Sequence, residues 1–155
     1  ENVEPRFPAV GKCLRLFGLK FFILHFSFFI ASSAASAGWI ERLRRRGLRV
    51  ALDDFGSGFA SYAYLRHLPL DLLKIDGTFV RGIEHDPINR AMIGSMVQIA
   101  RQLGLRTVAE FVESAAAQDC LRELGIDYAQ GYFIGRPHPL AELADALAAE
   151  PLLPR

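Results

Sequence analysis

The stretch RVALDDFGS, residues 49–57, places a short apolar run directly before two adjacent aspartates, Asp53 and Asp54, and a glycine-containing turn. Such a run is typical of a buried strand in a parallel sheet, which carries functional side chains at its carboxyl end. Two adjacent carboxylates repel each other unless a cation shares them. The stretch therefore predicts an α/β fold with an acidic, cation-binding site at the end of this strand.

After Trp39, segments typical of strands and helices alternate four times. Strands are predicted over residues 49–53, 70–76, 105–110 and 127–135. Helices are predicted from Trp39 to a stop at Gly47, and over residues 61–67, 87–103, 115–124 and 140–149. This alternation predicts parallel strands joined by right-handed crossovers. Four such units fit half of a (βα)8 barrel, and a small open parallel sheet fits the periodicity equally well.

The longest predicted helix has clear start and stop signals. Asp86 is a typical N-cap residue, Pro87 suits the first turn, and Gly104 suits the end. Apolar residues recur in it at every third or fourth position, which predicts that they form its buried face. They are Ile88, Met92, Met96, Ile99 and Leu103.

Residues 1–38 differ from the rest of the chain. Basic residues precede an apolar stretch from Phe21 to Ile30, and small residues follow up to Gly38. This order is typical of a signal peptide, and the uncharged stretch from Phe21 to Ile40 is also nearly long enough to span a bilayer. The third interpretation is a segment from a truncated or shifted reading frame. We expect the apolar stretch either to pack as a helix on the sheet or to cause self-association.

Composition excludes some classes of partner. The 155 residues are 51% hydrophobic and carry a net charge of +1, so no overall attraction to DNA or RNA is expected. The arginines that follow Trp39 suit a solvated helix face better than a nucleic-acid surface. Cys13 and Cys120 lack metal or redox spacing, which favours a reducing, cytoplasmic location.

Polar side chains recur at the end of each predicted strand. They are Asp53, Asp54, Lys74, Asp76, Glu110, Glu113 and Gln130. Several carboxylates and one lysine at a common edge form an oxygen-rich site for Mg²⁺ or Mn²⁺, and two such ions can hold a phosphodiester for hydrolysis. The alternative is that each acid only pairs with a surface arginine.

Four segments together form a recognisable pattern: DDFGSG (residues 53–58), LPLDLLKID (68–76), VAEFVE (108–113) and DYAQGYFIGRP (127–137). In these segments the chain resembles the EAL family of cyclic di-GMP phosphodiesterases. The resemblance covers residues 39–149. It implies the C-terminal half of a TIM-like (βα)8 barrel, and hydrolysis of cyclic di-GMP to linear pGpG with two Mg²⁺ or Mn²⁺ ions.

The resemblance implies a role for each residue of the strand ends. Asp53 and Asp54 match metal ligands of the family, with Asp53 bridging the two ions. Lys74 matches the lysine that contacts the hydrolytic water. Glu110 matches an acid that serves as metal ligand or general base, so Lys74 and Glu110 are the expected catalytic residues.

Three further positions match family features. Glu113 matches another metal-binding acid, and Gln130 matches the glutamine of the last strand, which is expected to contribute to cofactor binding. The segment from Phe55 to Ser61 matches a loop that couples metal binding to dimerisation in the family. A homodimer through this region is therefore expected.

The chain also departs from the family pattern. Residues 1–38 contain no E-A-L signature and neither of the asparagine and glutamate ligands of the family's first half. Phe111 stands where the family usually has glycine, and its ring is expected to crowd the metal site. We therefore predict a foreign hydrophobic segment over residues 1–38, a partial EAL domain over 39–150 and a tail over 151–155.

These departures lower the expected activity. The chain is predicted to be a weak or inactive phosphodiesterase, and the alternative is a non-catalytic module that binds cyclic di-GMP or a partner protein. It is expected in the cytoplasm, or at a membrane through residues 21–40.

Overall fold

Five parallel strands form one sheet in the order in which they occur in the chain. A computed structural model describes residues 21–24, 33–57 and 65–136. The strands are β1 (Phe21–Leu24), β2 (Arg49–Phe55), β3 (Leu72–Ile75), β4 (Arg106–Ala109) and β5 (Tyr128–Ala129). The helices are α1 (Ser33–Arg45), α2 (Gly77–Val80), α3 (Pro87–Gln102) and α4 (Ala115–Leu124). This sequential order is that of a barrel segment and not of a doubly wound sheet, and the predicted parallel βα units are confirmed.

The two long helices of the second half begin at the predicted residues. The side chain of Asp86 accepts hydrogen bonds from the backbone N–H groups of Ile88 and Asn89 at the start of α3. Ser114 Oγ accepts the N–H of Ala117 at the start of α4, at 3.0 Å. Gly125, with φ +80°, ends α4 in the left-handed conformation that glycine tolerates best. These local signals fix the two helix starts and the end of α4.

The sheet buries apolar side chains on both faces. The main core includes Leu52, Leu73 and Ala109. The opposite face carries a small second cluster of Ala51, Leu72 and Val108, with Tyr128 packed against it. Because side chains alternate along a strand, the residue two positions after each member of this cluster belongs to the same face. Those residues are Asp53, Lys74 and Glu110.

The hydrophobic segment before Trp39 contributes a strand to this sheet. β1 runs parallel to β2, with Phe22 opposite Val50 and Leu24 opposite Leu52. The prediction that this stretch packs as a helix is wrong for Phe21–Leu24, because its backbone groups pair with the edge of β2 instead. Helix α1 then begins at Ser33, earlier than predicted. Residues 25–32 lie outside the described part of the chain.

The stretch from Phe21 to Ile40 is therefore not one continuous helix. Among the described residues, the structure contains no helix that is both long enough and apolar enough to cross a membrane. The signal-peptide interpretation concerns residues 1–20 and 25–32 as well, which the structure does not describe. The predicted helices over residues 61–67 and 140–149 lie largely or wholly outside the described residues too.

Two predictions about the second half of the chain are wrong. Ile88 and Met92 are 70% and 41% exposed, and α3 instead buries the face that meets the sheet, formed by Ile93, Met96, Val97 and Ala100. The last strand is also shorter than predicted, because β5 has two residues and the chain turns after Gln130. Hydrogen bonds from the N–H groups of Ile134 and Gly135 to the carbonyl of Gly131 stabilise this turn.

Two aspartates tie neighbouring strands together at the amino-terminal edge of the sheet. Asp127 Oδ2 accepts hydrogen bonds from the N–H and the hydroxyl of Thr107, both at 2.9 Å. Asp71 Oδ2 accepts the N–H of Val50 at 2.8 Å in the same way. Thr107 is fully buried, so its polar groups depend on this carboxylate.

We expect Asp127→Ala to lower the free energy of unfolding by about 1–3 kcal/mol, because it leaves two buried donors of Thr107 without their acceptor. Urea denaturation measures this loss. Asp119→Ala is the matched control, since Asp119 lies on the exposed face of α4 and pairs across one helical turn with Arg122. Its effect is expected within about 0.5 kcal/mol. Equal effects of the two substitutions would contradict the structural role of Asp127.

Candidate metal centre

Three carboxylates and one ammonium meet at the carboxyl edge of β2, β3 and β4. Oxygens of Asp53, Asp54 and Glu110 lie within 4.8 Å of one another. Lys74 Nζ forms ion pairs with Asp53 Oδ1 and, at 2.5 Å, with Glu110 Oε1. Asp53 and Glu110 are 8% and 7% exposed. We call these four residues the acidic cluster, and all four are among the seven residues that the sequence predicted at the strand ends.

Asp53 and Asp54 both reach the cluster because β2 is irregular at its end. Adjacent side chains of a regular strand point to opposite faces of the sheet. Here Leu52 pairs with Leu73 and Phe55 with Ile75, so β2 has one residue more than β3 over this interval. Asp54 adopts φ +52°, which aspartate tolerates better than most residues. The bulge therefore brings two successive carboxylates to the same site.

The surroundings shift the ionisation of Lys74 and Glu110. Burial opposes the charge of Lys74, but its hydrogen bonds and attraction to Asp53 and Glu110 outweigh burial and raise the pKa of this ammonium. Burial raises the pKa of Glu110, and the charges of Asp53 and Asp54 add to this, against the lowering effect of Lys74. Lys74 therefore stays a cation, and Glu110 takes up a proton more readily than an exposed glutamate.

The donor set of the acidic cluster fits a hard divalent cation. Its three carboxylates supply only oxygen donors, which Mg²⁺ and Mn²⁺ prefer. Lys74 balances part of their charge when all four groups are ionised, and the remainder matches one divalent ion. The cluster can thus offer three carboxylates to one divalent ion.

Other predicted site residues lie outside the acidic cluster. Asp76 caps α2, where its Oδ1 accepts the N–H of Thr78 at 2.7 Å. Burial opposes its charge, but hydrogen bonds from Thr78 and Ser57 and the charge of Arg81 hold the pKa of Asp76 below its ordinary value. Glu113 and Gln130 are both exposed, and Glu113 is not one of the carboxylates that lie within 4.8 Å of one another.

Phe111 follows Glu110 directly in the chain, and its expected crowding of the metal site stays a prediction. Its ring packs on Gly77, where an added Cβ would lie 2.0 Å from Phe111 Cδ2. The guanidinium carbon of Arg81 lies 4.6 Å from the ring centroid. Gly77 and Arg81 could not be identified from the sequence as neighbours of Phe111. The only sequence signal for this contact was the glycine at position 77, which has no side chain.

Comparisons with known proteins identify the family of this chain. A family model described as EAL domain matches residues 17–137. The cyclic di-GMP phosphodiesterase PdeB of Shewanella oneidensis is 51% identical over 106 residues, which are 68% of this chain and 12% of that protein. The EAL domain of Mycobacterium smegmatis DcpA superposes with a TM-score of 0.78 at 30% identity, over 90% of this chain and 64% of that domain.

A further structural relative carries ligands. Klebsiella pneumoniae BlrP1, in a complex with manganese and cyclic di-GMP, superposes with a TM-score of 0.71 at 28% identity, over 83% of this chain and 34% of that one. The chain spans less than two thirds of the length of each of these three proteins. The family match begins at residue 17, inside the segment that the sequence assigned to residues 1–38.

Proposed function

Because the chain belongs to the EAL domain family, we propose that its acidic cluster binds cyclic di-GMP together with Mg²⁺ or Mn²⁺, in a site for hydrolysis to linear pGpG. The convergence of Asp53, Asp54, Glu110 and Lys74 at one sheet edge carries this proposal. The complex of BlrP1 with manganese and cyclic di-GMP supports both the ion and the ligand.

Each residue of the cluster suits one task in such a reaction. A bound divalent ion supplies charge stabilisation for the phosphodiester and lowers the pKa of bound water. Asp53, Asp54 and Glu110 would hold the ion through their oxygens. Lys74, which stays protonated, donates a hydrogen bond to the attacking water or a phosphate oxygen. Glu110 is alternatively the group that accepts the proton of that water.

The roles of the outlying residues are part of the same proposal. Glu113 is assigned to metal binding and Gln130 to ligand binding, and both side chains are exposed. A homodimer through Phe55 to Ser61 is also part of the proposal. Residues 58–64 lie outside the described part of the chain. In the described part of this loop, Gly56 packs closely against Phe79 of α2 and Met96 of α3.

One observation favours the second candidate, a module that binds cyclic di-GMP without hydrolysing it. Strand β1 lies next to β2, so its carboxyl end adjoins the acidic cluster. The sequence has no aspartate or glutamate between Pro5 and Ile40. The strand next to Asp53 therefore adds no carboxylate for a second ion, although two-ion hydrolysis needs both ions held about 3.5–4 Å apart.

Chromatographic detection of pGpG after incubation with cyclic di-GMP and Mn²⁺ tests the proposal. We expect slow product formation, below the common enzyme range of about 1–10³ s⁻¹, and its loss in Lys74→Met. Arg45→Met is the matched control, because it removes the cation of an exposed ion pair with Glu41 in the same helix. Binding without any product would support the second candidate, and the absence of both binding and product would contradict the proposed site. The assay is repeated across protein concentrations, because association of two chains can supply missing ligands.

A further inference from the structure

Phe111 combines features that are unfavourable for a residue without a function. Its φ of +53° lies in the left-handed region, which side chains larger than that of glycine or asparagine avoid. Its side chain is 50% exposed. It follows Glu110 directly, so this strained residue stands beside the acidic cluster. Such strain persists where a binding site requires it.

Two neighbours fix the position of the Phe111 ring. Gly77 leaves room for it, since any Cβ there would overlap three carbons of the side chain. Arg81 stacks its guanidinium on the ring, with 4.6 Å between the guanidinium carbon and the centroid. A cation held against an aromatic face stabilises the ring orientation. The result is a flat, half-exposed aromatic surface with a cation behind it.

A second pair of the same kind follows the neighbouring strand. Tyr132 is 64% exposed, and the guanidinium carbon of Arg136 lies 5.2 Å from its ring centroid. The two strand ends are joined by a hydrogen bond of 3.0 Å from Val112 N to the carbonyl of Gln130. Two arginine-backed aromatic rings therefore border the edge that carries the acidic cluster.

We infer that Phe111, backed by Arg81, is a stacking surface for one nucleobase of cyclic di-GMP. This inference rests on the proposed function, which places a phosphodiester at the neighbouring cluster. A purine offers a flat face that stacks on an exposed aromatic ring, and the ligand has two such bases. Phe111 thereby positions the substrate without taking part in proton transfer.

Fluorescence and calorimetric titration with cyclic di-GMP in Mn²⁺ test this inference. Phe111→Leu keeps an apolar side chain and removes the ring, so we expect the Kd to rise about 5- to 150-fold. The affinity for Mn²⁺ alone is expected to stay unchanged, because the acidic cluster is intact. Phe111→Trp keeps a ring, so its Kd stays close to that of the wild type, and its fluorescence is quenched when the base stacks. Wild-type protein, with Trp39, provides the background signal.

Ile88→Ala is the control for loss of exposed apolar surface, because Ile88 is 70% exposed and belongs to helix α3, not to the acidic cluster. It should bind cyclic di-GMP as the wild type does. A wild-type Kd in Phe111→Leu, or a fluorescence of Phe111→Trp that the ligand does not change, would overturn the stacking inference and leave the proposed function intact. No binding of cyclic di-GMP to the wild type would overturn both.

Discussion

Lys74→Met is expected to lower the free energy of unfolding by roughly 3–5 kcal/mol at pH 8, in the absence of divalent ions. Lys74 is the cation that pairs with both Asp53 and Glu110, and all three side chains are about one-tenth exposed. Methionine has a similar length but no charge, so the substitution leaves three neighbouring carboxylates to repel one another. Chemical denaturation with a chelator present measures the loss.

The loss should depend on pH in a defined direction. Burial and the charges of Asp53 and Asp54 already raise the pKa of Glu110, and removal of Lys74 raises this pKa further. A group whose pKa is higher in the folded state stabilises the fold below its unfolded pKa, and this contribution is lost as pH rises through the folded pKa. The deficit of Lys74→Met is therefore smaller near pH 5 than at pH 8.

Mn²⁺ should reverse much of this deficit. The ion then takes the place of the ammonium, and a ligand that binds only the folded state stabilises it in proportion to its affinity. We expect Mn²⁺ to stabilise Lys74→Met more than the wild type, although hydrolysis is lost. Arg45→Met, which removes an exposed ion pair with Glu41 in the same helix, should show neither the pH dependence nor the extra stabilisation by Mn²⁺. A Lys74→Met variant as stable as the wild type at both pH values would contradict this account of the cluster.

Gly131→Ala is expected to cost roughly 2–4 kcal/mol of stability. A Cβ at this position would lie 2.2 Å from Val112 N and 2.3 Å from Val112 O. These are backbone atoms, and hydrogen bonds to Gln130 and from Phe133 hold them in place. The clash therefore moves the chain that follows Glu110, so Mn²⁺ affinity should fall together with stability.

Gly104→Ala separates steric overlap from backbone strain. Gly104 has φ +70°, and an added Cβ there meets nothing within 4 Å. Only the left-handed conformation opposes alanine at this position, at about 1–2 kcal/mol. It should leave Mn²⁺ affinity unchanged. Equal losses of stability in the two variants would show that the chain around Val112 adapts easily.

The acidic cluster could be predicted because two periodicities agree. Parallel strands place their carboxyl ends at a common edge, and alternation places Asp53, Lys74 and Glu110 on one face. The sequence also showed that Asp53 and Asp54 are adjacent, which a regular strand would send to opposite faces. The bulge in β2 that joins them has no sequence signal of its own, because it depends on the register with β3.

Strand β1 could not be predicted for a different reason. A short apolar run such as Phe21–Leu24 fits a strand, a buried helix or a membrane segment equally well by periodicity. Its pairing with β2 decides among them, and that contact is distant in sequence. The resemblance to the EAL family was confirmed, yet the match extends back to residue 17 and so includes this strand.

The buried face of α3 shows a similar ambiguity. Ile88, Met92 and Met96 follow a helical repeat, but so do Ile93, Met96 and Val97. The position of the sheet selects the second set. Phe111 is a visible departure from the family, but its contacts with Gly77 and Arg81 could not be predicted, because they involve the end of another strand.

Calorimetric titration of cyclic di-GMP tests the central claim most directly, with wild type and Asp53→Asn compared in Mn²⁺ and in a chelator. Asp53→Asn keeps the shape of the side chain and removes one charge from the acidic cluster. We predict that the wild type binds in Mn²⁺, and that binding is at least about tenfold weaker in the chelator or in Asp53→Asn. The same affinity under all these conditions, or no binding of cyclic di-GMP at all, would contradict the claim that this cluster is a metal-dependent site for the nucleotide.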